Sequence, residues 1–377
     1  VRTVRGAARA LPFDVPLVVA LALLAIFGLV VLASASSVTA YRTFGSSFSL
    51  FNRQLISYAL GLALFVFAVS VDYRRWRAWS FGFLIAVLAL LVLVLMPGIG
   101  ATLHGAQRWI HLGPLFFQPS EPAKLALILA LALWIEREGG RSLQGERALP
   151  FLVPVALVGA LVLAQPDFGS VVILTLIALA LYLTAGAPLK QLASLGAVLL
   201  VLGIIAIAVQ PYRLERFKTF FNPEADPRGS GYHVTQSVSA IAAGGWTGRG
   251  YGESIAKNGA LPEPESDSIF AVAVEELGAG AAVGFVALYT FIGIRGLMVA
   301  RRAPDAFGRN VAIGITVWVV GQAFVNIGAL TGTLPLTGVT LPLVSYGGSS
   351  LITTLAALGI LVNVSRASRM EPSRPHR

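Results

Sequence analysis

Long apolar runs such as Val15–Ala35, Phe81–Met96, Leu192–Val209 and Val311–Leu330 limit what this chain can fold into. Each is long enough, or nearly so, to cross a hydrocarbon core about 30 Å thick, which takes about 20 residues of helix. A helix apolar around its whole circumference has no face to offer water and belongs in a bilayer. The 377 residues are 56% hydrophobic and only 12% charged, where soluble domains carry about 25% charge. The expected fold is an all-α polytopic membrane protein, a single domain over residues 1–377 with a flexible basic tail at 366–377. About ten helices are expected, near 14–35, 54–71, 79–96, 120–135, 150–165, 168–186, 190–210, 268–294, 309–330 and 347–365. Only the turn Gln165-Pro166-Asp167 joins the fifth and sixth, which form either two crossings or one shallow hairpin. The first run follows Arg2, Arg5 and Arg9 but is about 20 residues long, longer than the apolar core of a signal peptide, so it is read as an uncleaved helix. The chain has no cysteine, which excludes a disulfide framework, a thiolate nucleophile and a cysteine metal site.

The net charge of +10 is explained by sidedness rather than by nucleic acid. With the N-terminus in the cytoplasm, 18 of the 28 Lys and Arg residues fall in short cytoplasmic loops and tails. The short outer loops hold only Arg42, Arg53 and Arg108, with Lys124 just inside the next helix. This asymmetry follows the positive-inside rule and puts the long 211–267 loop, between the seventh and eighth helices, outside. Removing both members of the doubtful hairpin leaves that assignment unchanged.

Polar chemistry concentrates on the outer side. In the stretch from Arg108 and Trp109 to Ser120, Glu121 and Lys124, Ser120 is expected to cap a helix. Glu121 and Lys124, three apart, share a helix face. They read either as a structural salt bridge beside an interfacial tryptophan or as a site where Arg108 or Lys124 meets an anionic head group. Asp167 reads as a turn and cap residue. The long loop offers His233, Gln236 and Ser237, then the glycine run GGWTGRGYG. No strand precedes that run and no Gly-Lys-Ser/Thr follows, so phosphate-loop and dinucleotide readings fail. Its glycines permit tight turns or close approach of a ligand. His233 has no local partner that would make it a metal ligand.

Asp267 heads the eighth expected helix, either as its N-cap or as a carboxylate poised to act as general base. Glu275 and Glu276 lie about 12–14 Å deeper at 1.5 Å per residue, too far for a direct dyad. They need partners if buried in a bilayer. The last cluster, Thr331 to Ser350, is rich in Pro and Gly and contains Ser345, Gly347 and Gly348. It is expected to be non-helical at membrane depth, which is tolerated where protein buries it or it lines a cavity.

Five segments in this order, GAQRWIHLGPLFFQPSEPAKL, QPDFGS, GYHVTQSVSAIAAGGWTGRGYGES with Lys257 and LPE, DSIFA-EELG, and NIGALTGTLPLTGVTLPLVSYGGSS, resemble the SEDS family (shape, elongation, division and sporulation), the RodA/FtsW/SpoVE group. The resemblance implies a peptidoglycan glycosyltransferase that polymerises lipid II at the outer face of the bacterial inner membrane, for cell elongation or division, beside a class B penicillin-binding protein. It implies a catalytic role for Asp267 and matches Arg108, Trp109, Glu121, Lys124 and Lys257 to the family's motif positions. His233, Gln236, Ser237, Ser345, Gly347 and Gly348 are further substrate-binding candidates. Arg108, Lys124 and Lys257 are the expected pyrophosphate contacts, with Arg213, Arg216, Lys218 and Arg249 behind them. A divalent cation carried with the pyrophosphate is a further source of positive charge, to which no ligand cluster assigns residues. Two departures stand out: many members read Asp-Phe-Ile-Phe where this chain has Asp267-Ser268-Ile269-Phe270, and His-Thr where it has Glu265-Ser266. The rival readings are a lipid II flippase, against which the lack of an inverted repeat argues, and a scaffold that only docks the penicillin-binding protein.

Overall fold

The computed structural model describes residues 13–103, 106–112, 115–139, 148–188 and 230–370, with 190, 191, 193, 196 and 197. The seventh expected helix and the first part of the long loop, with Arg213, Arg216 and Lys218, fall largely outside these residues. So does the end of the basic tail. Helices dominate: α1 Val15–Ala35, α2 Ser37–Phe44, α3 Ser49–Ser70, α4 Tyr73–Leu93, α5 Ser120–Glu138, α6 Leu149–Ala164, α7 Phe168–Thr184, α8 Ser230–Gly244, α9 Ile269–Leu277, α10 Ala279–Arg302, α11 Ala306–Leu330 and α12 Gly348–Met370. Among the described residues six helices are long and apolar enough to cross a membrane: α1, α3, α4, α10, α11 and α12. The helices α6 and α7 are apolar but shorter.

Burial sorts these helices into a centre and a rim. The residues of α5 and α11 are largely buried, whereas α3, α4 and α10 turn Leu62, Val66, Phe81, Ile85, Val283 and Ile294 outward. Exposed apolar faces of this kind suit lipid. A close crossing lies between α3 and α12, where a Cβ on Gly359 would stand 2.6 Å from the Phe65 carbonyl oxygen. Only glycine lets the two backbones approach this closely.

Both ends of the bundle are polar. At one, Asp14 caps α1 through Leu17 N–H (3.0 Å) and pairs with Arg295 at 2.5 Å. Near it, Tyr73 donates to Asp305 (2.7 Å) and Arg77 pairs with Glu136 (2.6 Å). At the other end lie the α1–α3, α4–α5 and α6–α7 connections, together with residues 245–268 and 331–347.

Beyond the expected helices, the 94–119 connection carries β1 Gly100–Leu103, β2 Ala106–Leu112 and β3 Leu115–Phe117, an antiparallel sheet in the order β1-β2-β3. The long loop contains α8, whose buried stripe is His233, Ser237, Ala240 and Gly244. This stripe has helical spacing but almost no hydrophobic bulk. Finally, the helix expected over 268–294 breaks into α9 and α10 at Gly278, which has φ +75° and ψ −171°. A Cβ there would meet the Trp246 carbonyl oxygen at 2.4 Å. The glycine run wraps the end of α9: Arg249 N–H and Gly250 N–H donate to the Glu275 and Glu276 carbonyls, each at 3.0 Å. Its close approach is therefore to another backbone.

Gly278→Ala combines a penalty of about 1–3 kcal/mol for a backbone conformation that only glycine adopts readily with that clash. It is expected to lower the thermal midpoint of the detergent-solubilised protein by at least a few degrees, read by thermal unfolding.

Candidate active site

A cavity of about 950 Å³ opens at the end of the bundle that carries the sheet. Its lining includes five basic side chains (Arg42, Arg53, Arg108, Lys124, Lys257) and five acidic ones (Glu121, Asp167, Glu263, Glu265, Asp267). Of the candidates named from sequence, Arg108, Trp109, Glu121, Lys124, Lys257, Asp267, Gly347 and Gly348 line it. His233, Gln236, Ser237 and Ser345 do not.

Arg108 is placed by an irregularity in the sheet. Ala101 pairs with Trp109 but Thr102 pairs with Gln107, so Arg108 is the extra residue of a β-bulge, a device that re-aims a side chain. Its Nη1 lies 3.9 Å from Asp167 Oδ1. Asp167 is a cap, as its turn suggested, accepting from Ser170 N–H at 3.1 Å. It is also a hub, accepting from Ser120 Oγ (2.8 Å) and Gln118 Nε2 (2.9 Å). Ser120 is thus not the N-cap of α5. Pro119 holds that position and the serine hydroxyl turns to Asp167.

Lys124 is almost fully buried. Its Nζ pairs with Glu121 Oε2 at 2.8 Å, donates to Gln322 Oε1 at 3.0 Å and sits 5.0 Å from the Trp318 ring centroid. The structural salt bridge considered for this pair is present, at the cavity wall. Lys257 is more fully engaged. Its Nζ donates to Ser34 Oγ (2.7 Å), the Gly252 carbonyl (2.7 Å) and Glu276 Oε1 (2.8 Å). An ammonium has three donors, and all three already have protein acceptors. The expected pyrophosphate contact at Lys257 would therefore displace one of these bonds. Glu275 accepts from Ser254 Oγ (2.5 Å) and Ile255 N–H (3.1 Å). The two deep glutamates anchor the 249–257 segment onto α9.

Asp267 does not cap α9; Ser268 occupies the N-cap position. The segment carrying Asp267 is stitched to residues 339–346. Asn326 Nδ2 donates to the Asp267 carbonyl (3.0 Å) and to the Val339 carbonyl (2.7 Å). Ser345 Oγ donates to the Ser266 carbonyl (2.7 Å), and Tyr346 N–H to the Glu265 carbonyl (2.8 Å). Ser345 thus supports the site from outside it. His233 Nε2 lies 2.6 Å from Ser268 Oγ, which donates to the Pro262 carbonyl at 2.7 Å. The serine that departs from the family pattern is buried and pins α8 to the residue after Asp267.

Sequence reasoning passed over Arg42, Arg53, Gln322 and Glu265 as site residues. Arg42 Nη2 donates to the Asn258 carbonyl at 2.8 Å, and the Arg53 guanidinium lies 4.5 Å from the Phe44 ring centroid. The available signal was Arg53 and Gln54, polar residues inside the first turns of an apolar helix. Among the described residues no group of three or more His, Asp or Glu side chains is placed to hold a metal ion.

Lys257→Met would leave the Glu276 carboxylate buried without its counter-charge, at a cost of about 3–5 kcal/mol. The double variant Lys257→Met/Glu276→Leu is expected to recover most of that loss in thermal unfolding. A single variant as stable as the wild type would contradict the anchoring role.

Comparison with known proteins covers nearly the whole chain. A family model for the cell cycle proteins FtsW, RodA and SpoVE matches residues 15–370. Stage V sporulation protein E of Bacillus subtilis (strain 168) is 39% identical over 357 residues, 94% of this chain and 98% of that relative. A probable peptidoglycan glycosyltransferase FtsW of Thioalkalivibrio sulfidiphilus (strain HL-EbGR7) is 43% identical over 347 residues, 90% of this chain and 86% of that relative. Among solved structures, a chain from a peptidoglycan synthase complex that coordinates polymerization and crosslinking superposes with a TM-score of 0.80 at 32% identity, covering 95% of this chain and 99% of that one. The rod shape determining protein RodA of Thermus thermophilus does so with 0.69 at 30% identity, covering 94% and 97%. The polytopic helical fold, the polar cavity and these likenesses agree: the chain belongs to the FtsW/RodA/SpoVE family of cell cycle proteins.

Proposed function

We propose that this protein is a peptidoglycan glycosyltransferase that polymerises lipid II at the outer face of the bacterial inner membrane. The observation that carries the reading is Asp267 in a cavity whose lining also includes Arg108, Arg42 and Arg53. At about 950 Å³, the cavity lies at the upper end of the usual range for ligand sites. That gives room for the sugar–pyrophosphate head of a lipid-linked substrate.

The chemistry is a displacement at an anomeric carbon. The O–H bond of the acceptor's 4-hydroxyl breaks as Asp267 takes the proton. The oxygen bonds to the donor's anomeric carbon, and the bond from that carbon to the pyrophosphate oxygen breaks. An Asp is ionised at neutral pH and can act as base without special tuning. The leaving lipid pyrophosphate carries negative charge that preorganised cations stabilise. Arg108 suits this role best, being held only at 3.9 Å from Asp167 and partly exposed. Arg42 and Arg53 add charge, while Lys124, locked to Glu121 and Gln322, contributes to the field from a fixed position. A divalent cation bound with the substrate would supply further Lewis acidity.

Sidedness rests on the charge asymmetry of the sequence, which puts the end with Asp14, Arg77 and Arg295 in the cytoplasm and the cavity outside. The ten-span count, which gives the two ends opposite sides, is part of this proposal. The partner is a class B penicillin-binding protein, a reading supported by the likeness to a chain of a polymerizing and crosslinking synthase complex.

With purified protein, its partner and lipid II, Asp267→Ala is expected to lower glycan formation by about 10²–10⁴-fold. Polymerisation at the wild-type rate, or translocation of lipid II without polymerisation, would overturn the proposal. Arg108→Ala removes a charge-assisted contact worth about 1.5–3 kcal/mol, a loss of about ten- to hundredfold in kcat/KM. The same assay at varied lipid II concentration reads it.

A further inference from the structure

The turn that carries Asp267 is held in a conformation that one of its own residues resists. Glu263 has φ +43°, in the left-handed region that a side chain disfavours. Its carbonyl accepts from the N–H groups of Ser266 (3.1 Å) and Ser268 (3.2 Å). Such a conformation persists only where surrounding contacts over-determine it. On one side those contacts come from α2 and residues 345–346. Thr39 Oγ1 donates to Glu265 Oε2 (3.0 Å), Tyr346 N–H to the Glu265 carbonyl (2.8 Å) and Ser345 Oγ to the Ser266 carbonyl (2.7 Å). On the other side stands α8. Ser268 is fully buried at the N-cap position of α9, yet among the described residues its hydroxyl makes no capping bond. A serine there ordinarily accepts from an N–H of the first helical turn. This one donates instead to the Pro262 carbonyl (2.7 Å), next to the strained residue, and lies 2.6 Å from His233 Nε2. A hydroxyl has one hydrogen to give, so His233 Nε2–H is the donor to Ser268. The helix that presents His233 is itself closely docked: a Cβ on Gly244 of α8 would stand 2.1 Å from the Val274 carbonyl oxygen of α9.

We propose that Ser268 and His233 are positioning residues for the transfer reaction: their hydrogen bond clamps the strained 262–268 turn to α8 and so places the Asp267 carboxylate where it takes the acceptor's proton. The inference rests on the reading of Asp267 as the base. A base must come within hydrogen-bond reach of the hydroxyl it deprotonates, and a misplacement of about 1 Å costs on the order of 10²-fold in rate. Asp267 is the residue just before Ser268, so whatever holds Ser268 holds the backbone of the base. Without the serine hydroxyl, the Pro262 carbonyl and His233 Nε2–H lose their partner together and the turn is free to relax at Glu263. The start of α9 forgoes a local cap in exchange for these two contacts, and a local rule broken in this way is expected at a functional site. His233, which does not line the cavity, acts on the reaction through Ser268 and not by touching substrate. A phenylalanine at position 268, as many members of the family carry, makes neither bond. The clamp therefore belongs to this chain's version of the turn.

The test is lipid II polymerisation by the full-length protein with its partner, with kcat and KM read separately, well below each variant's thermal midpoint. Ser268→Ala and His233→Leu should each lower kcat by about ten- to hundredfold while leaving KM nearly unchanged. His233→Gln, whose amide N–H reaches toward the same oxygen, should recover most of that loss. The double variant Ser268→Ala/His233→Leu should be no slower than the slower single variant, because both remove one shared interaction. In an Asp267→Ala background, Ser268→Ala should cost nothing further. Wild-type kcat in Ser268→Ala, losses that multiply in the double variant, or a fall in kcat that only tracks the folded fraction would each overturn the proposal. Should Ser268→Ala fail to fold, the His233 variants decide: equal rates in His233→Leu and His233→Gln would refute the clamp. An inactive Asp267→Ala beside a fully active Ser268→Ala would sink the positioning role and leave the base intact. Full activity in Asp267→Ala would remove both.

Discussion

Backbone that leaves the helix inside a membrane protein must still find hydrogen bonds, and the cavity exists because a few buried side chains supply them. Gln54 donates to the Ser345 carbonyl (3.0 Å) and accepts from Gly347 N–H (3.2 Å). Asn326 serves the carbonyls of Asp267 and Val339, and Gln322 that of Thr340 (2.9 Å). Tyr58 and Tyr289 donate to the Leu343 and Pro342 carbonyls. Residues 331–347 can therefore run unwound between α11 and α12, and residues 262–268 can lie against them. Each polar side chain occupies a position on an otherwise apolar helix that leucine could fill. Such a leucine would leave the carbonyl opposite it without a donor, at about 1–3 kcal/mol.

The same arrangement divides labour among the charges. Lys124 and Lys257 are the most buried cations of the cavity lining, and both are already paired. Buried pairs hold geometry better than they hold ligands, because either partner left alone is costly. The arginines of the lining are more exposed and more loosely held, with a delocalised fork suited to phosphate. The cavity lining thus combines groups with room to move and a frame fixed by groups without it.

Much of this was legible in the sequence, and the misses have physical causes. The long helices announced themselves because their apolar runs exceed what a core helix needs. The irregular 331–347 segment was legible from its Pro and Gly content, and the structure both buries it and lets it line the cavity. The break at Gly278 was hidden because apolar residues continue on both sides, and only a backbone dihedral separates α9 from α10. The helix α8 was missed because its buried face is small and polar. The involvement of Glu265 depends on Thr39 and Tyr346, which fold onto it from far along the chain, and no local pattern carries that. Ser268, where many members carry an aromatic residue, has its counterpart in His233, 35 residues earlier in the chain and 2.6 Å away.

The bulge in β2 has a further effect on what the cavity wall offers. In a regular strand neighbouring side chains face opposite ways, so a consecutive arginine and tryptophan would present either the cation or the ring, and lose the other to the far side. With one residue left out of the ladder, Arg108 and Trp109 both reach the lining. Two adjacent positions thereby supply a flat aromatic surface and a positive charge side by side. This is the combination that a sugar joined to a phosphate presents in complement, delivered by a single dipeptide without a second strand.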